Sequence, residues 1–319
     1  MAGNGPPLMP SGRQIEIVHG EQRATVVEVG GGLRAYRIGE RQVLDGYGPD
    51  ERCTAARGQS LIPWPNRLED GVYTFDGDEQ QLALSEPAKH NAIHGLVRWS
   101  NWSVVEHEEH RAVMGHRLHP QPGYPFALDL SIAYSLSAAG LRVTTTATNL
   151  GPKPCPYGAG AHPYLTVGTE RLDDATLTVP ADTWLPADGR GIPLGEKPVD
   201  GTPYDFRAAR TIAATQLDTG YTDLLRDEDG LARVRLCAGD GGAAVALWLD
   251  RSYPYLMVFT GDSLPEPERR RRGLGVEAMT CAPNALRSGA GLQILESGSS
   301  FTGSWGIEPS PVKPSPVKT

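Results

Sequence analysis

The stretch Leu128–Thr148, LDLSIAYSLSAAGLRVTTTAT, decides the fold class of this chain. Apolar and polar side chains alternate through Leu128–Leu136, as expected of a β-strand with one buried face. A turn signal follows at Ala139-Gly140, and a second alternating run covers Leu141–Thr148. The stretch therefore predicts an antiparallel hairpin.

Similar short runs, separated by turn residues, recur along the chain. Val72–Phe75 turns at Asp76-Gly77 in the same way. Further strand candidates are Ile15–Val18, Ala24–Val29, Leu33–Ile38, Ala175–Val179, Ala232–Cys237, Ala243–Leu249 and Tyr255–Thr260. Glycine and proline contribute 38 and 27 of the 319 residues, which favours many tight turns, and no segment keeps a helical period for three turns. The sequence predicts an all-β protein, best described as a large antiparallel β-sandwich.

Composition excludes several classes of function. The formal net charge of −8 argues against a nucleic-acid-binding surface. No apolar run reaches transmembrane length, and the first residues lack the basic start and apolar core of a signal peptide. The triple glycine Gly30-Gly31-Gly32 precedes no helical pattern, so it is no dinucleotide-binding loop. We expect a cytoplasmic protein, without membrane or nucleic-acid partners, whose four scattered cysteines are free thiols: Cys53, Cys155, Cys237 and Cys281.

The two ends of the chain differ in composition from its middle. Residues 1–14 are rich in proline and glycine, and residues 307–319 repeat Ser-Pro-Val-Lys, so both are expected to be disordered. One domain is expected over residues 15–306. Within it, Pro265–Gly273 carries four consecutive arginines, Arg269–Arg272, which we interpret as a solvated hairpin tip.

His162 is the strongest candidate for a catalytic side chain. It stands in Gly158–Leu165, GAGAHPYL, directly before Pro163. Proline restricts the preceding residue to extended geometry, so the imidazole is carried on stiff backbone at the start of a strand. Such a mounting suits acid–base chemistry, although a lone histidine there is better explained as a hydrogen-bonded structural residue, so the case depends on the residues that accompany it.

Other polar residues stand in contexts that strand formation does not require. Singly, each has an ordinary explanation as a turn residue, a cap or an exposed charge. Together they provide two imidazoles, carboxylates, a guanidinium and aromatic rings, and this set suits a sugar, whose hydroxyls need donors and acceptors and whose apolar face packs on an indole. The set comprises Asn66, Arg67, His94, Asp218 and Glu277 with His162, and Trp64 and Tyr164 as aromatic binding residues.

Five segments, in order, resemble the aldose 1-epimerase (mutarotase) family of the bacterial type. They are PWPNRLEDGVYTFDG (Pro63–Gly77), AIHGLVRW (Ala92–Trp99), GAGAHPYL (Gly158–Leu165), LDTGY (Leu217–Tyr221) and EAMTCAPNAL (Glu277–Leu286). The resemblance spans roughly residues 15–306 and implies a galactose-mutarotase-like β-supersandwich that acts on free aldoses without a cofactor or metal, as a monomer or a homodimer. It implies that Glu277 is the base and His162 the acid, that His94 assists, and that Asn66, Arg67 and Asp218 surround the sugar.

The expected reaction opens and recloses the sugar ring. A base takes the proton of the C1 hydroxyl while an acid protonates the ring oxygen, so Glu277 must lie within about 10 Å of His162. An ionised carboxylate and a cationic imidazole predict a bell-shaped pH profile, with the acidic limb from Glu277 and the basic limb from His162.

Three alternative functions stay open at this point. Arg98, and Arg57 before Gly58, suit a phosphate group, so a hexose-6-phosphate 1-epimerase is the nearest alternative. Glu277 and Asp218 would be the two carboxylates of a glycoside hydrolase, which has no use for two histidines. A non-catalytic carbohydrate-binding protein would use the aromatic residues and Arg67 but needs no acid–base pair.

Overall fold

The alternating runs form strands throughout residues 8–310, the part of the chain that the computed structural model describes. The first half contains β1 (Gln14–His19), β2 (Gln22–Val27), β3 (Leu33–Ile38), β4 (Arg41–Gln42), β5 (Ser60–Leu61), β6 (Arg67–Glu69), β7 (Val72–Phe75), β8 (Asp78–Gln81), β9 (Asn91–Ile93), β10 (Ser103–Glu108), β11 (Arg111–Leu118), β12 (Leu128–Ser137), β13 (Gly140–Asn149), β14 (Cys155–Tyr157), β15 (Gly160–Ala161) and β16 (Tyr164–Leu165).

The second half continues the same pattern. It contains β17 (Thr176–Thr178), β18 (Ala181–Leu185), β19 (Lys197–Pro198), β20 (Arg210–Thr211), β21 (Asp218–Leu224), β22 (Ala232–Cys237), β23 (Ala244–Leu249), β24 (Tyr255–Phe259), β25 (Leu274–Met279), β26 (Gln293–Leu295) and β27 (Ser300–Ser310). The helical elements described are one four-residue α-helix, α1, and two short 3₁₀ turns: Ala285–Ser288, Pro87–Lys89 and Pro267–Arg269. The all-β prediction is confirmed.

Three large antiparallel sheets organise these strands. The first has four strands in the order β1-β2-β3-β4, and the second has nine in the order β10-β11-β12-β13-β27-β23-β22-β17-β20. The third has eight: seven in the order β19-β18-β21-β24-β25-β15-β5, with β16 also paired to β25. One continuous hydrophobic core contains buried side chains from all three sheets. The predicted β-sandwich architecture agrees with this arrangement.

The hairpin predicted from Leu128–Thr148 forms the third and fourth strands of the nine-stranded sheet. Strands β12 and β13 pair from Leu128 opposite Asn149 to Ser137 opposite Gly140. Every second side chain of β12 is buried, because neighbouring residues of a strand point to opposite faces. The sequence alternation therefore predicted both the hairpin and its buried face.

The eight-stranded sheet places two carboxylates on one face. Gly220 of β21 lies opposite Met257 of β24, which lies opposite Glu277 of β25. Asp218 is two residues from Gly220 along β21, and residues two apart share a face. The register alone therefore brings Asp218 and Glu277 to the same side of the sheet.

The ordered strands extend beyond both predicted boundaries of the domain. Ser11 is buried and β1 already begins at Gln14, while β27 continues to Ser310 because that residue pairs with Ala244 of β23. The predicted disorder of residues 1–7 and 311–319 lies outside the described residues.

The arginine run Arg269–Arg272 is not the solvated hairpin tip that we expected. Arg271 is 6% exposed and pairs with Asp173 at 2.6 Å and Asp262 at 2.8 Å. Arg269 and Arg272 of the same run also pair with carboxylates. The loop folds back on the protein because a buried guanidinium is tolerated only when it is paired and hydrogen-bonded.

The four cysteines all lie within the described residues and none is bonded to another, which agrees with the expected free thiols. Of the helices in residues 8–310, none has the length and apolar character needed to cross a membrane.

Candidate active site

Backbone hydrogen bonds tie four of the five sequence motifs together. Each bond joins residues far apart in the chain, so the motifs meet only when the sheets have formed. The amide donors and carbonyl acceptors are Gly158 to Pro63 (2.7 Å), His94 to Asn66 (2.9 Å), Asn284 to Arg67 (2.7 Å) and Val276 to Pro163 (3.1 Å). The site is therefore built on the sheet framework and not on a mobile loop.

His162 and Glu277 meet at the centre of this framework. Glu277 is in the middle of β25, whose two faces are both buried, and His162 occupies the bend between β15 and β16. The His162 Nε2 atom lies 3.2 Å from Glu277 Oε1, and the two residues are only 5% and 3% exposed. The 3.2 Å between His162 and Glu277 is well within the expected limit of about 10 Å.

Burial determines how this pair is protonated. It raises the pKa of Glu277 to about 8, with a further increase from the charge of Asp218 and a decrease from Arg67. Burial also lowers the pKa of His162, and nearby arginine charges lower it further. The free protein therefore holds one proton on the Glu277 side of a neutral pair at neutral pH.

This order of titration reverses our assignment of the two pH limbs. The pair gains a second proton only on acidification, at His162, and loses its single proton on the alkaline side, at Glu277. The sequence suggested the opposite because it carries no information on desolvation, which here exceeds every charge effect on both groups.

His94 faces the same site, and a backbone hydrogen bond determines which of its ring nitrogens carries the hydrogen. Its Nδ1 atom accepts the backbone N–H of Asn66 at 3.2 Å, so the ring hydrogen of the neutral form is assigned to Nε2. Burial, followed by the nearby His162 and arginine charges, holds the pKa of His94 well below its usual value. His94 is thereby a neutral hydrogen-bond donor, which suits assistance at a sugar oxygen and not proton removal.

The three side chains also have the spacing of a metal site, but their chemistry does not fit one. Ligand atoms of His94, His162 and Glu277 lie within 4.8 Å of one another. A metal-binding histidine normally donates its second ring hydrogen to an acceptor, whereas His94 Nδ1 accepts a backbone N–H. Metal binding at Nε2 would require the tautomer that this backbone N–H disfavours.

Arg67 lies beside the pair and is fixed by a residue that sequence reasoning missed. Its Nε and Nη2 atoms donate to the two carboxylate oxygens of Glu86 at 2.8 and 3.0 Å. Burial alone would lower the pKa of Arg67, but the Glu86 hydrogen bonds and the charges of Asp218 and Glu277 leave it raised. The guanidinium thus remains a fixed cation near Glu277. No pattern around Glu86 distinguishes it from other surface acids.

Asn66 and Asp218 are placed differently at the site. Asn66 is buried in a left-handed conformation with φ of 57°, and its side-chain oxygen accepts the N–H of Arg67 at 2.8 Å. Its amide nitrogen is the group left to donate to a ligand. Asp218 is exposed at the start of β21. Arg67 and Asp218 line a small recess together with Leu185, Ala187, Gly191, Pro193, Gly220, Met257 and Pro283.

Two aromatic residues do not have the role that we expected. Trp64 is 3% exposed and belongs to the hydrophobic core, so its indole has no open face for a sugar. Tyr164 stacks on His162 and also contacts the Arg57 guanidinium through its ring, and its hydroxyl donates to the Ala55 carbonyl. Both lie behind the site because the strand geometry turns them inward, which residue type alone does not reveal.

The two arginines considered for phosphate binding also differ from each other. Arg57 is 2% exposed and pairs with Asp45 at 3.1 Å, so it is not accessible to a ligand. Arg98 is half-buried, and within residues 8–310 its guanidinium has no ion pair; it lies 5.9 Å from the Trp99 ring. Its charge lowers the pKa of both His94 and His162, so Arg98 is close to the site.

Both members of the pair have a buried polar atom without a partner. In the described part of the chain, His162 Nδ1 and Glu277 Oε2 are buried and have no hydrogen bond. Such groups normally find a partner in a folded protein. Two unpartnered atoms on residues in direct contact are typical of a site that receives a polar ligand.

Comparison with known proteins agrees with the sequence resemblance. The sequence profile of the aldose 1-epimerase family matches residues 13–308. The "Uncharacterized protein YihR" of Escherichia coli K12 is 34% identical over 289 residues, covering 90% of each chain. The aldose 1-epimerase of the same organism is 29% identical over 234 residues, covering 67% of this chain and 66% of the relative.

The fold agrees as well. The solved GalM/aldose epimerase homologue from C. elegans superposes with a TM-score of 0.84 at 19% identity, covering 94% of this chain and 99% of the homologue. The matches of profile and relatives extend over nearly the whole chain and include every motif that builds the site. The chain belongs to the aldose 1-epimerase family.

Proposed function

We propose that the protein interconverts the α and β anomers of a free aldose of the glucose or galactose type. Glu277 and His162 carry the two proton transfers, with Glu277 as base at the C1 hydroxyl and His162 as acid at the ring oxygen. His94 donates a hydrogen bond to a sugar oxygen, while Asn66 and Arg67 bind hydroxyl groups.

The proton balance of the reaction suits a pair that holds a single proton. The C1 hydroxyl gives up its proton as the ring oxygen receives one, so the bond between C1 and the ring oxygen breaks and a free aldehyde forms. Rotation about C1–C2 exposes the other face of the aldehyde, and the two transfers then run in reverse. The reactive form of the pair is the one whose single proton has passed from Glu277 to His162, which leaves an ionised base and a cationic acid. The sugar ring oxygen then takes the proton from His162 while the C1 hydroxyl gives one to Glu277. The Arg67 charge favours the ionised form of Glu277 during this exchange.

The observation that carries this proposal is the buried contact between His162 Nε2 and Glu277 Oε1 at 3.2 Å. An imidazole and a carboxyl in direct contact, each with its other polar atom unpartnered, supply an acid and a base at one point. A positioned acid–base pair contributes about 10² to 10⁴ in rate.

Polarimetry of freshly dissolved α-D-glucose and α-D-galactose tests the proposal. The protein is expected to accelerate the drift of optical rotation, and His162→Asn is expected to lose most of this acceleration. Glu79→Gln, at an exposed position on β8, is the matched control and should retain it. A wild-type protein that leaves the drift of both sugars at the buffer rate would refute a free-aldose epimerase of this type.

The half-buried, unpaired Arg98 favours one alternative substrate, a hexose 6-phosphate. A charge-assisted hydrogen bond to phosphate contributes about 1.5–3 kcal/mol, so Arg98→Met would raise KM roughly 10- to 100-fold for a phosphorylated substrate. For a free aldose the same change should leave kcat/KM almost unchanged. Comparison of glucose with glucose 6-phosphate in both proteins distinguishes the two substrates.

The remaining alternatives lack a comparable observation. A glycoside hydrolase needs two carboxyls flanking the bond, whereas Glu277 contacts an imidazole and Asp218 is exposed on another strand. A carbohydrate-binding protein has no need of a buried acid–base pair. Release of a chromogenic aglycone, or sugar binding without acceleration of the rotation drift, would identify these two classes.

A further inference from the structure

Three side chains form a continuous stack that ends at His162. The Tyr164 ring lies parallel to the His162 ring, with centroids 5.0 Å apart and planes inclined by 12°. The Arg57 guanidinium lies over the Tyr164 ring, 4.3 Å from its centroid. A cation over an aromatic face is attractive, and more strongly so when it is desolvated.

Asp45 holds the inner end of this stack from several directions. Its carboxylate pairs with Arg57 Nη2 at 3.1 Å, and its backbone carbonyl accepts from Arg57 Nε at 3.0 Å. Its backbone N–H donates to the Tyr164 carbonyl at 2.8 Å. At the surface, Arg272 binds the other carboxylate oxygen at 2.8 Å. Arg57 therefore has little freedom to move relative to the Tyr164 ring.

This arrangement explains why the Arg57 guanidinium is buried here, although burying a charge is energetically unfavourable. Arg57 is 2% exposed, its Nη1 atom has no partner, and its side-chain hydrogen bonds within residues 8–310 go to Asp45. A buried ion pair is seldom the most stabilising solution for a core and often yields to apolar residues of similar volume. A role in placing the catalytic ring accounts for the position of the guanidinium on the stack.

We propose that Arg57 is a positioning residue for the reaction, acting through Tyr164 to fix the plane of the His162 ring against Glu277. The inference rests on the proposed function. Arg57 contributes to the proton transfer without touching the substrate, and Tyr164 transmits its effect to His162.

The positive charge of Arg57 acts in parallel with the stack. Arg57 is one of several cations that lower the pKa of His162, after the larger effect of burial. The titratable and charged groups that face His162 are Glu277, His94, Tyr164, Arg57, Arg67 and Arg98. Removing the Arg57 charge should therefore move the His162 titration toward higher pH. Asp45 is not among the main contributors to the pKa of His162, so removing it as well should not reverse this direction.

Kinetics of the double variant Asp45→Asn/Arg57→Met provide the first test, since changing both members leaves no unpaired buried charge. We expect kcat to fall about 10- to 100-fold, the effect of misplacing a catalytic group by about 1 Å, with KM within twofold of wild type. Arg272→Met is the matched control, because it removes the outer partner of Asp45 but leaves the stack intact. It should retain the wild-type kcat.

Nuclear magnetic resonance of ¹⁵N-histidine-labelled protein provides a readout that needs no activity. The His162 resonances of the double variant should titrate at higher pH than those of wild type, and those of Arg272→Met should not move. If wild-type protein shows no epimerase activity, the proposed function fails while this titration still tests the link from Arg57 to His162.

Tyr164→Leu removes the transmitting ring and tests the stack independently of the ion pair. Its loss of kcat should match that of the double variant, and combining all three changes should add little. A folded double variant with wild-type kcat and an unchanged His162 titration would overturn the inference. Losses that multiply in the triple variant would also overturn it, because Arg57 would then act by another route.

Discussion

Replacing Glu277 by glutamine should stabilise the protein in alkaline solution. Glutamine keeps the shape and hydrogen-bonding reach of the side chain but cannot ionise. The folded protein holds the Glu277 proton until about pH 8, whereas the carboxyl of the unfolded chain releases it near pH 4.5. Over that range the folded state binds more protons, so the free energy of unfolding of wild type falls as pH rises.

The size of the effect follows from the pKa values of the two buried groups, Glu277 and His162. His162 has the opposite sign: its folded pKa of about 3 lies below its usual 6.5, so its contribution rises with pH and is complete above pH 6.5. Between pH 6.5 and 8 only the Glu277 slope remains. Over this interval of 1.5 pH units, at about 1.4 kcal/mol per unit, the stability of Glu277→Gln should gain about 2 kcal/mol relative to wild type.

Urea unfolding followed by tryptophan fluorescence at half-unit steps from pH 6.5 to 8.5 measures this difference. The exposed Glu79→Gln should track wild type at every pH, which controls for the loss of one carboxyl group. A difference between Glu277→Gln and wild type that stays constant across the range would mean that the folded carboxyl is already ionised at pH 6.5. Our account of the neutral pair would then be wrong.

Three further outcomes follow from the structure. Asp218→Asn removes a charge that raises the pKa of Glu277, so the alkaline limb of the kcat/KM profile should move to lower pH. An unchanged limb would mean that Asp218 does not influence the titration of Glu277. Gly95→Ala should lower the free energy of unfolding by more than about 2 kcal/mol in urea titrations, because Gly95 has φ of 71° and its Cβ would lie 2.0 Å from a backbone oxygen. Gly191→Ala places a Cβ 2.6 Å from Arg67 Nη1 and should raise KM in polarimetric assays with kcat less affected, unless Arg67 does not bind the sugar.

Sequence reasoning succeeded where the physical cause is local or periodic. The alternation in Leu128–Thr148 predicted a hairpin whose register and buried face the structure reproduces. The ordered motifs likewise brought His162 and Glu277 together. That expectation came from the resemblance of the motifs to a known family, because residue types alone do not show which distant segments meet.

What the sequence did not predict depends on the environment that folding creates. The reversed titration of Glu277 and His162 arises from desolvation, which no local pattern encodes. The inward orientation of Tyr164 arises from strand packing, and the pairing of Arg67 with Glu86 joins residues 19 apart that occupy different strands and turns. These features appear only once distant segments share a site.

The direct contact between His162 and Glu277 has a consequence for how a sugar is held. His162 and Glu277 contact each other at 3.2 Å, so an entering sugar competes with an internal hydrogen bond. Part of the binding energy is then consumed in separating them, so the sugar binds more weakly than it would if the two groups were already apart. Such a site releases its product readily, because the two groups re-form their own bond as the sugar departs. The contact between His162 and Glu277 thus competes with sugar binding, which favours rapid exchange of the sugar over tight binding.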